Sequence, residues 1–165
     1  MSRLFIGIYP PAPVVDLIRA LPRPEMAGVR WVPEHQWHIT LRFFGNADED
    51  EARRAFDAME LATTATVEIG PHVSRLRRAV VCLPAHGLDD LASLVVRATA
   101  HVGEPADPRP FTGHLTIGRL RGRGACGVAG ERFAAAFPVQ EVALVRSTLS
   151  SSGAEHETVA TRPMG

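Results

Sequence analysis

The chain has 165 residues, of which 45% are hydrophobic, and its 18 acidic and 18 basic residues give a formal net charge of zero. This length fits one domain, or two small lobes that share a core. The balance of charge excludes a protein that coats long nucleic acid through a general positive field, although it permits a local basic cleft. Every basic residue is arginine. Enzymes that need a lysine for a Schiff base, a nucleotide adduct or a phosphate-binding loop are therefore excluded.

Two further features bound the class of protein. Cys82 and Cys126 are far apart and form no C-x-x-C unit, which argues against a zinc ribbon or a redox pair. No apolar run approaches the roughly 20 residues that span a bilayer, and the run near the start is too short for a secretory signal. We therefore expect a cytoplasmic protein that keeps its thiols reduced and does not bind membranes.

The first half of the chain predicts strands and helices in alternation. Residues 3–10 are rich in aromatic and branched residues and end at a double proline, as a buried strand does. A helix with proline in its first turn is expected over 11–21, followed by a short strand at 29–33 and a longer one at 37–44. The segment 46–62 starts with Asn and Asp and has acids in its first turn, which indicates a helix.

The second half predicts a similar order of elements. Two strands are expected at 65–69 and 78–84, a helix at 89–102, a strand at 114–120 and a closing hairpin over 138–164. A proline-rich loop and a glycine-rich loop lie on either side of the strand at 114–120. We predict a mixed α+β protein with antiparallel sheets. The repeated order of elements suggests an internal duplication.

The strands at 37–44 and 114–120 share a motif. The stretches "WHITLRFFG" and "GHLTIGRLR" each place a histidine, an apolar residue, a threonine and another apolar residue in succession. Because side chains alternate along a strand, His38 and Thr40 should share one face, and His114 and Thr116 should do the same. Each strand would thus present an imidazole beside a hydroxyl, backed by apolar residues.

Two such pairs that face each other suit displacement at phosphorus. An imidazole gives or takes a proton near neutral pH, and a threonine hydroxyl can donate a hydrogen bond to an anionic oxygen. In an in-line displacement the attacking and leaving oxygens lie on opposite sides of the phosphorus, so one imidazole is wanted on each side, roughly 5–9 Å from the other. The bland alternative, two structural histidines on unrelated strands, requires the pattern to have arisen twice by chance.

These residues carry a resemblance to a known family. The stretches "RLFIGIYPP", "VRWVPEHQWHITLRFFG", "DPRPFTGHLTIGRLR" and "VALVRSTLSSSGAEHETVATRPM" resemble the two-histidine phosphoesterase superfamily. Within it they are most similar to the bacterial and archaeal RNA 2′,3′-cyclic phosphodiesterases, which are also called 2′-5′ RNA ligases. The resemblance spans nearly the full chain. It implies a single domain with two lobes, in which two antiparallel-rich sheets with flanking helices are related by pseudo-twofold symmetry about a central cleft.

The resemblance also implies a reaction that needs neither metal nor cofactor. A terminal 2′,3′-cyclic phosphate would be hydrolysed to a 2′-phosphomonoester, with His38 as proton donor, His114 as proton acceptor, and Thr40 and Thr116 binding the phosphate. The near-symmetry of such a site leaves the two histidine roles interchangeable. Reversal on a 5′-hydroxyl would give 2′-5′ ligation. The expected partners are RNA 3′ ends or small cyclic nucleotides, and we expect a monomer. There are two alternatives to this function. The same dyad could act on another cyclic-phosphate or 2′,5′-linked nucleotide, or the protein could be a nucleotide-binding module without turnover.

Two arginines are candidates for further phosphate contacts. Arg42 follows Thr40 by two residues and should share its face, so it would bind either the phosphate or a surface carboxylate. The resemblance also implies that Arg119 binds the phosphate, although strict alternation places it on the face of the strand opposite to that of His114. Gly118 on the inner face would leave room for a ligand.

The remaining candidates are aromatic residues and other histidines. Base stacking needs an exposed aromatic ring, for which Phe111, Phe44 and Tyr9 are candidates, with the core as the alternative for each. His35 and His38 should face opposite ways and make no metal pair. The "RLRR" and "RGRG" segments are either phosphate clamps or solvated loops. Four further histidines are expected in solvent: His72, His86, His101 and His156.

Overall fold

The computed structural model of the protein describes residues 1–122 and 127–165. Cys126 and the end of the "RGRG" segment lie outside these residues, and Cys82 is a buried free thiol. The strands are β1 (Ser2–Ile8), β2 (Val29–Trp31), β3 (Ile39–Ala47), β4 (Thr66–Ile69), β5 (Ser74–Leu76), β6 (Val80–His86), β7 (His114–Leu120), β8 (Ala135–Pro138), β9 (Glu141–Ser150) and β10 (Gly153–Pro163). The helices are α1 (Ala12–Arg19), α2 (Glu49–Ala58) and α3 (Asp89–Ala98). The predicted α+β class is confirmed.

The strands form one curled antiparallel sheet in the order β10-β9-β1-β3-β7-β6-β4-β8. One half of this order, β10 to β3, meets the other half, β7 to β8, where Ile39 pairs with Leu115. The halves have related topologies, since β1-α1-β3 in the first corresponds to β6-α3-β7 in the second. The two motif strands therefore lie side by side at the junction of the halves.

The helices form where their ends and apolar faces favour them. The Asp48 carboxylate accepts a hydrogen bond from the Glu51 amide at 2.9 Å, which caps α2, and acids follow in its first turn. Proline stands in the first turn of α1, as predicted. The stripe on α3 buries Leu91 and Val95 in the core.

Both motif strands contain a β-bulge just after their threonine. In the pairing of β1 with β3, Ile6 is opposite Arg42 and Gly7 is opposite Thr40, so Leu41 is an extra residue. In the pairing of β6 with β7 the extra residue is Ile117. A bulge shifts the alternation of side chains by one. Beyond each bulge, the faces are therefore the reverse of those that strict alternation predicts.

Two short strands, β5 and β8, go beyond the elements that the sequence predicts. β5 pairs with β6 through a hairpin with a three-residue loop at 77–79, in which Arg77 and Arg78 have φ of 52° and 66°. Three-residue loops are among the common connections of β-hairpins. The "RLRR" segment is thus the end of a hairpin.

Candidate active site

The register at the junction brings the two motifs together. Ile39 pairs with Leu115 in antiparallel fashion, so extending this register by one residue puts His38 opposite Thr116 and Thr40 opposite His114. Diagonal neighbours in such a pair are about 7–8 Å apart. This is the relation between the backbone positions of the two histidines, and the side chains of both line the same cleft.

The same backbone contact orients each imidazole. His38 Nδ1 lies 2.6 Å from the carbonyl oxygen of Gln36, and His114 Nδ1 lies 2.8 Å from that of Thr112. A carbonyl oxygen only accepts, so Nδ1 carries a proton in both rings and donates it. Nε2 is then the nitrogen that can exchange a proton with a ligand. In the first motif it also lies 3.0 Å from the Thr40 hydroxyl.

His38 is enclosed by other rings. Phe5 on β1 stacks on its face at 4.5 Å between centroids, with the ring planes 25° apart. His156 on β10 packs its edge against His38 at 5.1 Å and against Phe5 at 5.1 Å. Tyr9 lies further away, at 6.1 Å. These contacts fix the ring plane of His38 and remove most of its water.

The enclosure changes the acidity of His38. Burial lowers its pKa from 6.5 to about 4, because the charged ring loses its hydration. The hydrogen bond to the Gln36 carbonyl acts in the opposite direction, and the positive charges of His156, His114 and Arg119 lower the pKa further. In the free protein His38 is therefore neutral at pH 7.

Both histidines line one cleft of about 620 Å³ at the junction. Thr40 and Thr116 line it too, so the structure brings all four motif residues together. The hairpin of β9 and β10 forms one wall, and the Gln36 side-chain amide donates a hydrogen bond to its Ala154 carbonyl. Of the described residues that line the cleft, none is a carboxylate. The site is therefore suited to an anion.

The expectation that Arg42 binds the phosphate is wrong. Because of the bulge at Leu41, its side chain turns away from the cleft and is only 2% exposed. The guanidinium donates hydrogen bonds to the carbonyls of Phe43, Val102 and Glu104 at 2.8, 3.1 and 2.7 Å. Arg42 therefore joins β3 to the segment after α3.

The second bulge turns the arginine of its own motif, Arg119, toward the cleft. With Ile117 as the extra residue, Arg119 is exposed and lines the cleft beside Thr116. The expectation that Gly118 makes room for a ligand is wrong, because a Cβ there would lie 2.9 Å from the Trp31 ring. The glycine instead lets Trp31 pack against β7.

The aromatic candidates change as well. Phe44 is fully buried in the core, so the expectation that it stacks on a base is wrong. Phe111 is half-buried beside Thr112 and Tyr9 is half-buried, and neither lines the cleft of the two histidines. The cleft is lined instead by Phe43, which is 40% exposed. Arg3 lies over its ring at 4.8 Å.

The expectation that His156 lies in solvent is also wrong. His156 is half-buried in the cleft wall, and its Nδ1 is buried with no hydrogen-bond partner in the described structure. Burial lowers its pKa. The sequence around His156 does not predict this position, because the rings that enclose it, Phe5 and His38, come from distant parts of the chain. The other three, His72, His86 and His101, are exposed as expected.

The described residues lack two kinds of feature. They contain no group of three or more His, Cys, Asp or Glu side chains that could hold a metal ion. None of their helices is long and apolar enough to cross a membrane.

Comparisons with known proteins agree with this geometry. Residues 8–75, which include the first motif, match the family described as LigT like phosphoesterase. A Thermus thermophilus protein, TT0787, has the same fold with a TM-score of 0.84 and 25% identity, over 98% of this chain and 97% of that one. E. coli LigT complexed with 3′-AMP superposes with a TM-score of 0.79 and 25% identity, over 99% and 98% of the two chains. No curated protein matches the chain in sequence.

The fold, the paired His-x-Thr strands and the match over residues 8–75 are similar to those of two-histidine phosphoesterases. Within that class, the findings support the LigT-like family.

Proposed function

We propose that the protein is an RNA 2′,3′-cyclic phosphodiesterase that needs no metal. It would hydrolyse a terminal 2′,3′-cyclic phosphate, on an RNA 3′ end or a small cyclic nucleotide, to a 2′-phosphomonoester. The observation that carries the proposal is the pair of histidines from adjacent strands, each with Nδ1 held by a backbone carbonyl, in a cleft lined by arginines. Because each half supplies one histidine, we also propose that the halves act as one two-lobed domain.

In the proposed mechanism each histidine acts through Nε2. His114 removes a proton from water while the water oxygen attacks phosphorus, and the bond from phosphorus to the 3′ oxygen breaks on the opposite side. His38 gives a proton to that 3′ oxygen, so the 2′ oxygen keeps the phosphate. The hydroxyls of Thr40 and Thr116 and the guanidinium of Arg119 would hold the non-reacting oxygens. With a 5′-hydroxyl in place of water, the same displacement of the 3′ oxygen would form a 2′-5′ bond.

The protonation of His38 constrains this assignment. Its pKa of about 4 in the free protein means that it enters the reaction without the proton it must donate. The negative charge of the cyclic phosphate favours the protonated ring, so binding would raise the pKa and supply the donor form. If the roles were exchanged, His38 would act as acceptor in the form that the free protein already has. The two assignments predict different effects of changing the leaving group.

The relatives support a nucleotide as ligand. E. coli LigT has been crystallised with 3′-AMP and with ATP. A nucleotide 3′-phosphate resembles the product of cyclic phosphate hydrolysis in its ribose, base and phosphate. This similarity supports a substrate in which the phosphate is attached at the 2′ and 3′ positions of a ribose.

The test is an assay with adenosine 2′,3′-cyclic phosphate in the presence of a chelator, with the product isomer identified by chromatography. We expect adenosine 2′-phosphate from the wild-type protein, and a rate lower by about 10² to 10⁴ in each of His38→Ala and His114→Ala. The substitution Arg54→Gln on the outer face of α2 is the control. Hydrolysis that survives both histidine substitutions would exclude the dyad.

The other outcomes identify the alternatives. Hydrolysis of a different cyclic or 2′,5′-linked nucleotide by the same dyad would change only the substrate. Binding of nucleotide without turnover, measured by calorimetry, would indicate a non-catalytic nucleotide-binding module.

A further inference from the structure

The cleft carries more positive charge than the proposed reaction uses. Arg3, Arg30 and Arg119 all line it, and no carboxylate among the described residues does. None of the three forms a salt bridge within the described structure, whose ion pairs use Arg19, Arg53, Arg109 and Arg146. A cyclic phosphodiester carries one negative charge, which Arg119 beside the dyad can match. Arg3 and Arg30 are therefore left without a role.

Arg30 is held at the cleft next to another cation. It pairs directly with Arg119 across β2 and β7, and like charges that face each other in this way destabilise a sheet. Its Nη2 donates a hydrogen bond to the Ser152 carbonyl at 3.3 Å, and its guanidinium packs so closely on Gly153 that a Cβ there would overlap it. The hairpin of β9 and β10 thus holds Arg30 in place while most of its N–H groups remain available for an anion.

Arg3 lies further along the same cleft. It shares a face of β1 with Phe5, the residue that stacks on His38, and is two positions away, which is roughly 7 Å along a strand. Its guanidinium lies over the Phe43 ring and makes no side-chain hydrogen bond to the described residues. An anion bound by Arg3 would thus lie in the same cleft as the dyad, beyond Phe5 on β1.

We propose that Arg30 and Arg3 form a second anion subsite, which binds the phosphate at the 5′ position of the nucleotide whose cyclic phosphate reacts. This inference rests on the proposed function and narrows its substrate to nucleotides with two phosphate groups. Such a group occurs as a 5′-phosphomonoester on a small nucleotide or as the phosphodiester link to the preceding residue of an RNA. A nucleoside 2′,3′-cyclic phosphate with a free 5′-hydroxyl would leave the subsite empty.

The experiment compares three substrates that differ only at the 5′ position. These are adenosine 2′,3′-cyclic phosphate, its 5′-phosphorylated form, and the dinucleotide ApA ending in a 2′,3′-cyclic phosphate. We expect kcat/KM for one or both phosphorylated substrates to exceed that of the nucleoside by about tenfold or more. Arg30→Gln and Arg3→Gln should each reduce this ratio several-fold, and the double variant should bring it close to one. Arg54→Gln should keep the wild-type ratio.

The pattern of ratios identifies the source of the phosphate. Preference for the dinucleotide alone indicates an RNA strand, whereas equal preference indicates that either phosphate suffices. A wild-type ratio near one, or a ratio that survives both substitutions, overturns the inference while leaving the dyad intact. If no substrate is hydrolysed, the proposed function fails. The subsite is then tested by calorimetry, where adenosine 3′,5′-bisphosphate should bind more tightly than 3′-AMP to the wild-type protein and not to the double variant.

Discussion

β3 and β7 carry the same His-x-Thr motif, the same anchor for Nδ1 and the same bulge, yet their surroundings differ. His38 is enclosed by Phe5 and His156, whereas the described structure shows no ring stacked on His114. Four residues after the histidine, β3 has the buried Arg42 and β7 has Gly118. Five residues after it, β3 presents Phe43 to the cleft and β7 presents Arg119. The repeated motif thus supplies two similar proton-transfer groups. The residues around them are not repeated, and they give each histidine a different environment within one site.

The largest effect should come from exchanging the leaving group. A 2′,3′-cyclic phosphate with sulfur at the 3′ position needs little help from an acid, because a thiolate leaves more readily than an alkoxide. If His38 is the donor, His38→Ala should recover about 10²-fold or more on this substrate relative to the oxygen substrate, whereas His114→Ala should not. Steady-state rates of both variants on both substrates measure this. Recovery by His114→Ala alone would show that the roles are exchanged.

Arg119 and Phe43 occupy corresponding positions in the two motifs. Substituting each in turn separates the effect of charge on the reaction from the effect of side-chain shape. Arg119→Gln should lower kcat/KM about 10²-fold, since it removes a charged donor from the phosphate oxygens. Arg119→Lys should recover only part of this loss, because lysine lacks the two-pronged geometry. A matched Phe43→Leu variant should mainly raise KM. An Arg119→Gln variant with unchanged kcat/KM would remove Arg119 from the site.

The enclosure of His38 should be visible in the stability of the fold. The folded protein takes up this proton only near pH 4, because the pKa of His38 is about 4, and the unfolded chain takes it up near 6.5. The unfolded state therefore gains stability as pH falls from 6.5 to 4. Over this range the contribution of His38 to the free energy of unfolding declines by up to about 3 kcal/mol. Urea unfolding from pH 7 to 4 should show a smaller decline in His38→Gln. An NMR titration midpoint of His38 near 6.5 would contradict the prediction.

Substitution of Arg42 should reduce the stability of the fold, whereas substitution of Arg119 should reduce catalysis. Arg42→Gln leaves buried carbonyls without donors, so we expect the free energy of unfolding to fall by about 2 kcal/mol. KM should stay within twofold of wild type at a temperature where the variant is folded. Urea unfolding and initial rates test both statements, with Arg54→Gln as the surface control. A selective rise in KM would restore Arg42 as a phosphate ligand.

The smallest effect is expected at His156. Its buried Nδ1 has no partner in the described structure, so replacement by phenylalanine should raise the free energy of unfolding by about 1 kcal/mol while it keeps a ring against His38. His156→Ala should instead lower stability and loosen the ring of His38. If phenylalanine destabilised the protein as much as alanine, the nitrogen would have to be hydrogen-bonded in solution.

The fold class, the order of the main elements and the two motifs can be predicted from the sequence because each depends on local periodicity. The sequence does not predict which face of β3 carries Arg42 and which carries Phe43. The bulge that decides this leaves no mark in the alternation of polar and apolar residues. The carbonyl partners of Arg42 at Val102 and Glu104 lie some 60 residues further along the chain. Likewise His156 reaches His38 only through the pairing of β10 with β9 and of β9 with β1. Such contacts arise from tertiary structure and leave no local signal.

The junction of the two halves is a single ladder pair between β3 and β7, Ile39 with Leu115, and the dyad lies on either side of it. Each half has its own backbone ladders, while a single hydrophobic core extends across both halves. The position of one histidine relative to the other is therefore set by the packing of this shared core more than by backbone hydrogen bonds. A core substitution that loosens this packing should lower turnover more than it changes the spectroscopic signals of the sheet.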